Sequence, residues 1–327
     1  MTFPANVYLL AFAGAFVATF AFTPLWRRWC ERWGLVDDPG HRKIHHHPVA
    51  LAGGLAVFSG LAIVVLMGIA AVKLHLLEPE AVGKLGYGLG RRATELAAIF
   101  LGALGMGALG WWDDRNELKP VAKLLGQAVI AFAVAGAGVR VTLFVPSLLF
   151  SYGVTVLWIL TVTNALNFND NMNGLCGGLG VIAAAGFAWH AGNAGQYLVA
   201  SLALLVAGAL LGFLPYNFPR ATVFLGDAGS HLVGFVLAVL AILPHFYSPE
   251  QPAPSRWAVL SPIFLLAVPL ADLVSVVWIR TRHRKPFWVG DNNHFSHRLV
   301  RAGCSRIQAV IVLWIAAVGV GALTLAW

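Results

Sequence analysis

Oxygen ligands crowd into three short stretches of an otherwise apolar chain. Asp113 and Asp114 stand side by side after Trp111-Trp112. Asn164, Asn167, Asp170 and Asn173 recur at every third position ahead of Gly174, and Asp227 sits between Phe224-Leu225-Gly226 and Ala228-Gly229-Ser230. Carboxylate and amide oxygens are hard donors suited to Mg2+, with water and phosphate oxygens completing the shell. Neighbouring residues on a helix point about 100° apart, so one of Asp113 and Asp114 can face a metal while the other faces a second reactant. Asp227 opens a helix whose free N–H groups can hold phosphate. Each stretch also has a plainer reading: a solvated helix end for the aspartate pair, an Asn-rich turn for the second stretch, an N-cap for Asp227. Amides kept at a membrane boundary without partners are costly, which favours a binding role for the second stretch.

Two further stretches carry cations and imidazoles. The first runs Asp37-Asp38-Pro39-Gly40-His41-Arg42-Lys43-Ile44-His45; the second runs from Arg280 through Asp291 to His294, His297 and Arg298. Guanidinium forks and imidazole N–H donors suit a diphosphate. A positive anchor at a membrane face accounts for Arg280 to Lys285, but not for His294, His297 and Arg298. Zinc at His45-His46-His47 is not expected, because consecutive residues do not converge on one tetrahedral ion and further Cys or His partners are missing.

The elements that position these groups are membrane helices. Of 327 residues 59% are hydrophobic and 11% charged, whereas a soluble domain is about 25% charged. Ten apolar stretches, 6–25, 51–74, 93–112, 121–138, 146–163, 175–191, 197–214, 231–247, 257–279 and 307–326, have the ~17–24 residues that a hydrocarbon core of about 30 Å requires. The expected fold is all-α and polytopic, with about ten transmembrane helices in one domain over residues 1–327. No Lys or Arg precedes the first stretch, and Arg27, Arg28 and Arg32 follow it, the reverse of a cleavable leader. Most other Lys and Arg lie in the loops on that same side, and only Lys73, Lys84, Arg91, Arg92, Arg140 and Arg256 fall on the opposite one. The positive-inside rule then puts both termini outside a bacterial inner membrane and every chemically capable stretch in cytosolic loops. Charge bias explains the cations there, but not the acids and amides that share the face.

The net charge of +8 does not imply nucleic acid, since anionic lipid and phosphate substrates account for basic loops. Cys30, Cys176 and Cys304 lie far apart, without metal or redox spacing. A transporter would place ionisable groups or broken helices near the bilayer midplane, and these spans are almost free of charge.

In their order, the motifs resemble those of the polyprenyl-phosphate N-acetylhexosamine-1-phosphate transferases, glycosyltransferase family 4. The resemblance runs from Asp38 to Arg298: Asp38-Pro39, Arg42-Lys43-Ile44-His45 and Gly53-Gly54; Asp113-Asp114; Asn164, Asn167, Asp170 and Asn173-Gly174; Phe224 to Asp227; and Asp291, His294, His297-Arg298-Leu299. The departures are Ala50 and Leu51 where many members have Pro and Arg, Asn171 for a Gly, Asn173 for a second Asp, and Ser296 for a His. The last motif is closer to the GlcNAc-type branch than to the MurNAc-pentapeptide branch.

The resemblance implies attack by a polyprenyl-phosphate oxygen on the β-phosphorus of a UDP-sugar, with UMP released and a lipid-linked sugar diphosphate formed. It implies a Mg2+ requirement, with Mn2+ as a substitute, membrane lipids as surroundings and a homodimer as an assembly to test. It implies catalytic roles for Asp113, Asp114, Asp170 and Asp227, metal ligation by Asp227 and Asn167, and a lipid phosphate near Asp113 and Asp114. Nucleotide-sugar contacts fall to Asn164, Asn173, Phe224, Gly226, His294, His297 and Arg298, with Phe224 stacking on uracil, and Lys43 and His45 belong to the first motif. UDP-GlcNAc is the first expectation; a UDP-linked FucNAc, QuiNAc or MurNAc-pentapeptide is the alternative.

Overall fold

A computed structural model describes residues 2–38, 47–142, 145–244, 246, 256–286 and 288–326. Lys43 and His45 lie outside the described residues. The helices in chain order are α1 (Ala5–Trp33), α2 (Gly53–Lys73), α3 (Pro79–Arg91), α4 (Ala93–Asn116), α5 (Pro120–Gly136), α6 (Leu148–Phe168) and α7 (Leu175–Asn193). They continue with α8 (Tyr197–Asn217), α9 (Gly226–Leu240), α10 (Ser261–Leu265), α11 (Ala267–Arg282), α12 (Phe295–Arg301) and α13 (Arg306–Ala322). Two short strands, β1 (Val36–Asp37) and β2 (Val49–Ala50), pair antiparallel between α1 and α2.

Among the described residues, seven helices are long and apolar enough to cross a membrane: α1, α2, α4, α6, α7, α8, and α13 with its short 3-10 continuation. An eighth crossing results if Trp257–Leu265 and α11, bent by 71° at their junction, form one span. The break has a local cause: the Pro269 ring opposes the carbonyl four residues back, that of Leu265, and removes an N–H from the ladder. The remaining apolar helices, α5 and α9, have 17 and 15 residues, and 15 residues reach only about 22 Å. The all-α polytopic fold is therefore present, but ten full crossings are more than these helix lengths establish. Side chains such as Val129, Leu149, Leu157, Val274 and Ile315 stay exposed on the outer faces, as expected where lipid is the solvent.

The short α9 lies at the centre, against α2, α4, α6 and α7, and nearly all its residues are buried. Its N-terminus is let in by small residues. A Cβ at Gly110 of α4 would collide with the Asp227 carbonyl, and one at Gly54 with the Gly229 backbone. From Gly110, α4 runs on to Asn116, about 9 Å at 1.5 Å per residue, so the start of α9 is recessed below the end of its neighbour. Backbone bonds fix the approach: Gly53 N–H donates to the Phe224 carbonyl at 2.9 Å, Gly54 N–H to Leu225 at 3.0 Å and Phe224 N–H to Ala50 at 2.9 Å.

Candidate active site

The helix ends meet where α9 begins. The Asp113-Asp114 pair and the first two asparagines lie within helices, since α4 continues to Asn116 and α6 to Phe168. The two aspartates diverge as adjacent helical positions must. Asp114 turns to α9 and accepts from the backbone N–H of Asp227 at 2.8 Å and of Ala228 at 3.0 Å. It thus caps the helix from outside, where free N–H groups and the helix dipole favour an anion. Gly226 is required there twice over: its φ is +74°, and a Cβ would come within 2.9 Å of Asp114 Oδ2.

Asp113 turns to α5. Lys123 Nζ lies 2.6 Å from Asp113 Oδ2 and 3.0 Å from Asp227 Oδ2, bridging the two carboxylates, while Leu118 N–H donates to the other Asp113 oxygen at 2.8 Å. Asn167 Nδ2 donates to Asp227 Oδ1 at 2.6 Å and to Ser230 Oγ at 2.9 Å. Asp170, in the turn after α6, accepts from the Gly226 N–H; burial first, then the Asp227 and Asp114 carboxylates, pushes its carboxyl well above the usual range. Four carboxyl groups therefore gather here, and one ammonium pairs with two of them. That surplus suits a divalent cation, and Asp113, Asp227 and His231 form a group that could hold one, with ligand atoms within 4.8 Å of one another. Carboxylate oxygens with water completing the shell are the donors that Mg2+ takes, so the donor set suits such an ion.

Asn164 is one turn back from Asn167 and points away from the acids, donating to Gln127 Oε1 at 2.7 Å and the Leu160 carbonyl at 2.8 Å. Asn173 donates to the Pro219 carbonyl at 3.3 Å, beside the segment that leads to Phe224. Asn217 holds that turn by accepting from Gly174 N–H at 2.6 Å and donating to the Val223 carbonyl at 3.0 Å.

The last loop forms a second cluster on the far side of Phe168. Asp272 of α11 accepts from Phe295 N–H at 2.6 Å and lies 2.6 Å from His294 Nδ1. Arg280 pairs with Asp291 at 3.2 Å and lies over the Phe168 ring, against whose edge His294 packs. Burial raises the Asp291 carboxyl, but hydrogen bonds from Arg280 and Asn293 outweigh it and hold the group below its ordinary value. Burial, then the neighbouring His294 and Arg301, keeps His297 below the usual imidazole range. Arg298 is exposed, with one guanidinium nitrogen 3.4 Å from Ser275 Oγ. Ser296 Oγ donates to Asn171 Oδ1 at 2.7 Å, tying this loop to the turn that carries Asp170.

Sequence reasoning overlooked Lys123 as a site residue, along with Gln127, Ser230, His231 and Asp272. A signal existed for three of them. Asp272 and His231 are ionisable groups inside apolar stretches, which is itself a mark of function, and Lys123 lies four residues before Gln127 on one helical face.

Helix termini thus converge on an acidic cluster beside a cationic loop, at the ends of helices long and apolar enough to cross a membrane. The family model for glycosyl transferase family 4 matches residues 96–245. Similar proteins include a probable undecaprenyl-phosphate N-acetylglucosaminyl 1-phosphate transferase of Bacillus subtilis, 31% identical with 94% of this chain and 81% of that one covered. A decaprenyl-phosphate N-acetylglucosaminephosphotransferase of Mycobacterium tuberculosis is 33% identical, with 96% and 81% covered. An undecaprenyl-phosphate alpha-N-acetylglucosaminyl 1-phosphate transferase of Escherichia coli K12 is 26% identical, with 94% and 82% covered. The chain belongs to glycosyl transferase family 4, in its branch of polyprenyl-phosphate N-acetylhexosamine-1-phosphate transferases, and it is a phosphotransferase.

Proposed function

We propose that the protein transfers GlcNAc-1-phosphate from UDP-GlcNAc to undecaprenyl phosphate at the cytosolic face of a bacterial inner membrane, starting a lipid-linked envelope glycan. The observation that carries this reading is the recessed cluster of Asp113, Asp114, Asp170 and Asp227, two of them paired with Lys123, one residue along α6 from the Arg280–His294 cluster. In the reaction, a lipid-phosphate oxygen forms a bond to the β-phosphorus, and the bond from that phosphorus to the bridging oxygen of UMP breaks. Both reactants are anions, so charge neutralisation and alignment supply most of the catalysis.

Asp227 and Asn167 would hold Mg2+, with Asp113 beside it, and the ion would supply positive charge to the diphosphate. Lys123 orients Asp113 and Asp227, and Asp114 fixes the start of α9. His294, His297 and Arg298 receive the diphosphate or sugar, while Asn173 and Phe224 receive the uracil. The recess lets a polyprenyl tail stay in lipid while its phosphate reaches the acids. Positive loops on the site's side support a cytosolic orientation, with both termini outside. The test is to incubate membranes that contain the protein with undecaprenyl phosphate and a panel of UDP-sugars, with and without Mg2+. UMP release with UDP-GlcNAc, dependent on both lipid and metal, is the expected result. Release only with another UDP-HexNAc would replace the sugar, and no release with any sugar would overturn the reading.

A further inference from the structure

His231 sits one helical turn after Asp227 and is completely buried. A ring nitrogen of His231 shares the group with carboxylate oxygens of Asp113 and Asp227, all within 4.8 Å. Its Nδ1 has no hydrogen-bond partner, and its Nε2 meets only the Gln127 amide nitrogen, at 3.4 Å. The orientation of that amide follows from its neighbours. Asn164 Nδ2 donates to the Leu160 carbonyl and to Gln127 Oε1, so the Gln127 NH2 group is the side turned to the imidazole. A donor facing Nε2 leaves the lone pair on Nε2 and the proton on Nδ1. That long contact is the only one on the Nε2 lone pair among the described residues, so a cation can displace the amide, and a neutral imidazole is the form that ligates metals. A buried imidazole held by one long contact among carboxylates is poorly explained as packing alone, since buried polar groups are costly without partners.

We propose that His231 supplies a nitrogen ligand to the divalent-cation site, which makes the site a mixed oxygen–nitrogen one that favours Mn2+ over Mg2+. The proposal rests on the reading of the acid cluster as a metal site. Mg2+ is satisfied by oxygen and water, whereas imidazole suits transition metals, so a nitrogen donor raises Mn2+ affinity selectively.

The test loads the purified full-length protein with Mn2+ and records pulsed EPR on samples with natural-abundance and 15N-labelled histidine. A histidine nitrogen coupling that changes with the label and disappears in His231→Leu is expected. In that variant Mn2+ should bind about tenfold or more weakly, with Mg2+ binding changed much less. Gln127→Leu keeps the ligand and should retain the coupling. If His231→Leu does not fold, the labelled wild-type protein and Gln127→Leu still decide the matter. Mn2+ bound in the wild type but lost in Asp227→Asn, with no histidine coupling, overturns the nitrogen ligand and leaves the metal site standing. A coupling that persists in His231→Leu also overturns it. No bound Mn2+ at all overturns the metal reading and this proposal together.

Discussion

Two regions of this protein use the same device to opposite ends. In each, an aspartate of one helix caps the start of another: Asp114 of α4 caps α9, and Asp272 of α11 caps α12 while also holding His294. Around α9 the remaining groups leave acid in excess, with Asp113 and Asp227 sharing Lys123 and Asp170 close by on the Gly226 N–H. Around α12 they leave cation and imidazole in excess, with Arg280 already paired to Asp291 and His297 held below the ordinary imidazole range by its surroundings. The caps set geometry in both places; the surplus sets the ligand. An acidic surplus calls for a cation, and a basic one calls for phosphate. The two surpluses adjoin across Asn167 and Phe168, where a metal-bound diphosphate would need them.

The sharpest way to break the contrast is Asp227→Asn, which removes the carboxylate shared by Lys123 and Asn167. UMP release from UDP-GlcNAc should fall about a thousandfold or more, and near-normal turnover would mean that the acidic region is structural. Lys123→Met comes next. Stranding Asp113 and Asp227 without their ammonium should cost about 3 kcal/mol, read as a lower thermal midpoint in detergent with chelator. Added Mg2+ should restore much of the loss, and failure to do so would separate the acid cluster from cation binding.

The caps can be compared directly with one substitution in each. Asp114→Asn and Asp272→Asn each confront an N–H with an amide N–H, at about 1–3 kcal/mol of stability. Only Asp272→Asn should also loosen His294, lowering kcat/KM for UDP-GlcNAc about tenfold through KM with kcat little changed. The smallest effect concerns protons. His297 is held below the ordinary imidazole value, and a bound diphosphate would raise it. Nucleotide-sugar binding near pH 6 should therefore take up a proton, seen by calorimetry in buffers of different ionisation enthalpy, and binding should strengthen as pH falls. The uptake should vanish in His297→Gln.

Asp113, Asp114, Asn167, Asp170 and Asp227 were legible as chemistry because carboxylates and amides at the ends of apolar stretches are costly to keep without a use. Their sharing of one face was legible from the sidedness of Lys and Arg. Lys123 was hidden, because one more cation in a positive loop looks like charge bias until its ammonium is seen between two carboxylates. Asp272 and His231 were hidden inside apolar stretches, where the pattern recorded span and little else. The bend between α10 and α11 was written in Pro269, inside the stretch 257–279 that its apolar character marks as one crossing.

The sequence by itself determined the solvent, the all-α class and the candidate groups, since these follow from residue types and from spacing along one element. Which oxygen faces which partner was decided by tertiary structure alone. That depends on the close approach of separate helices, at Gly110 against Asp227 and Gly54 against Gly229, which no local pattern specifies. The paired carboxylates at the end of α4 show the division: one-dimensional spacing made them diverge, and packing alone gave Asp113 to an ammonium and Asp114 to the start of a helix.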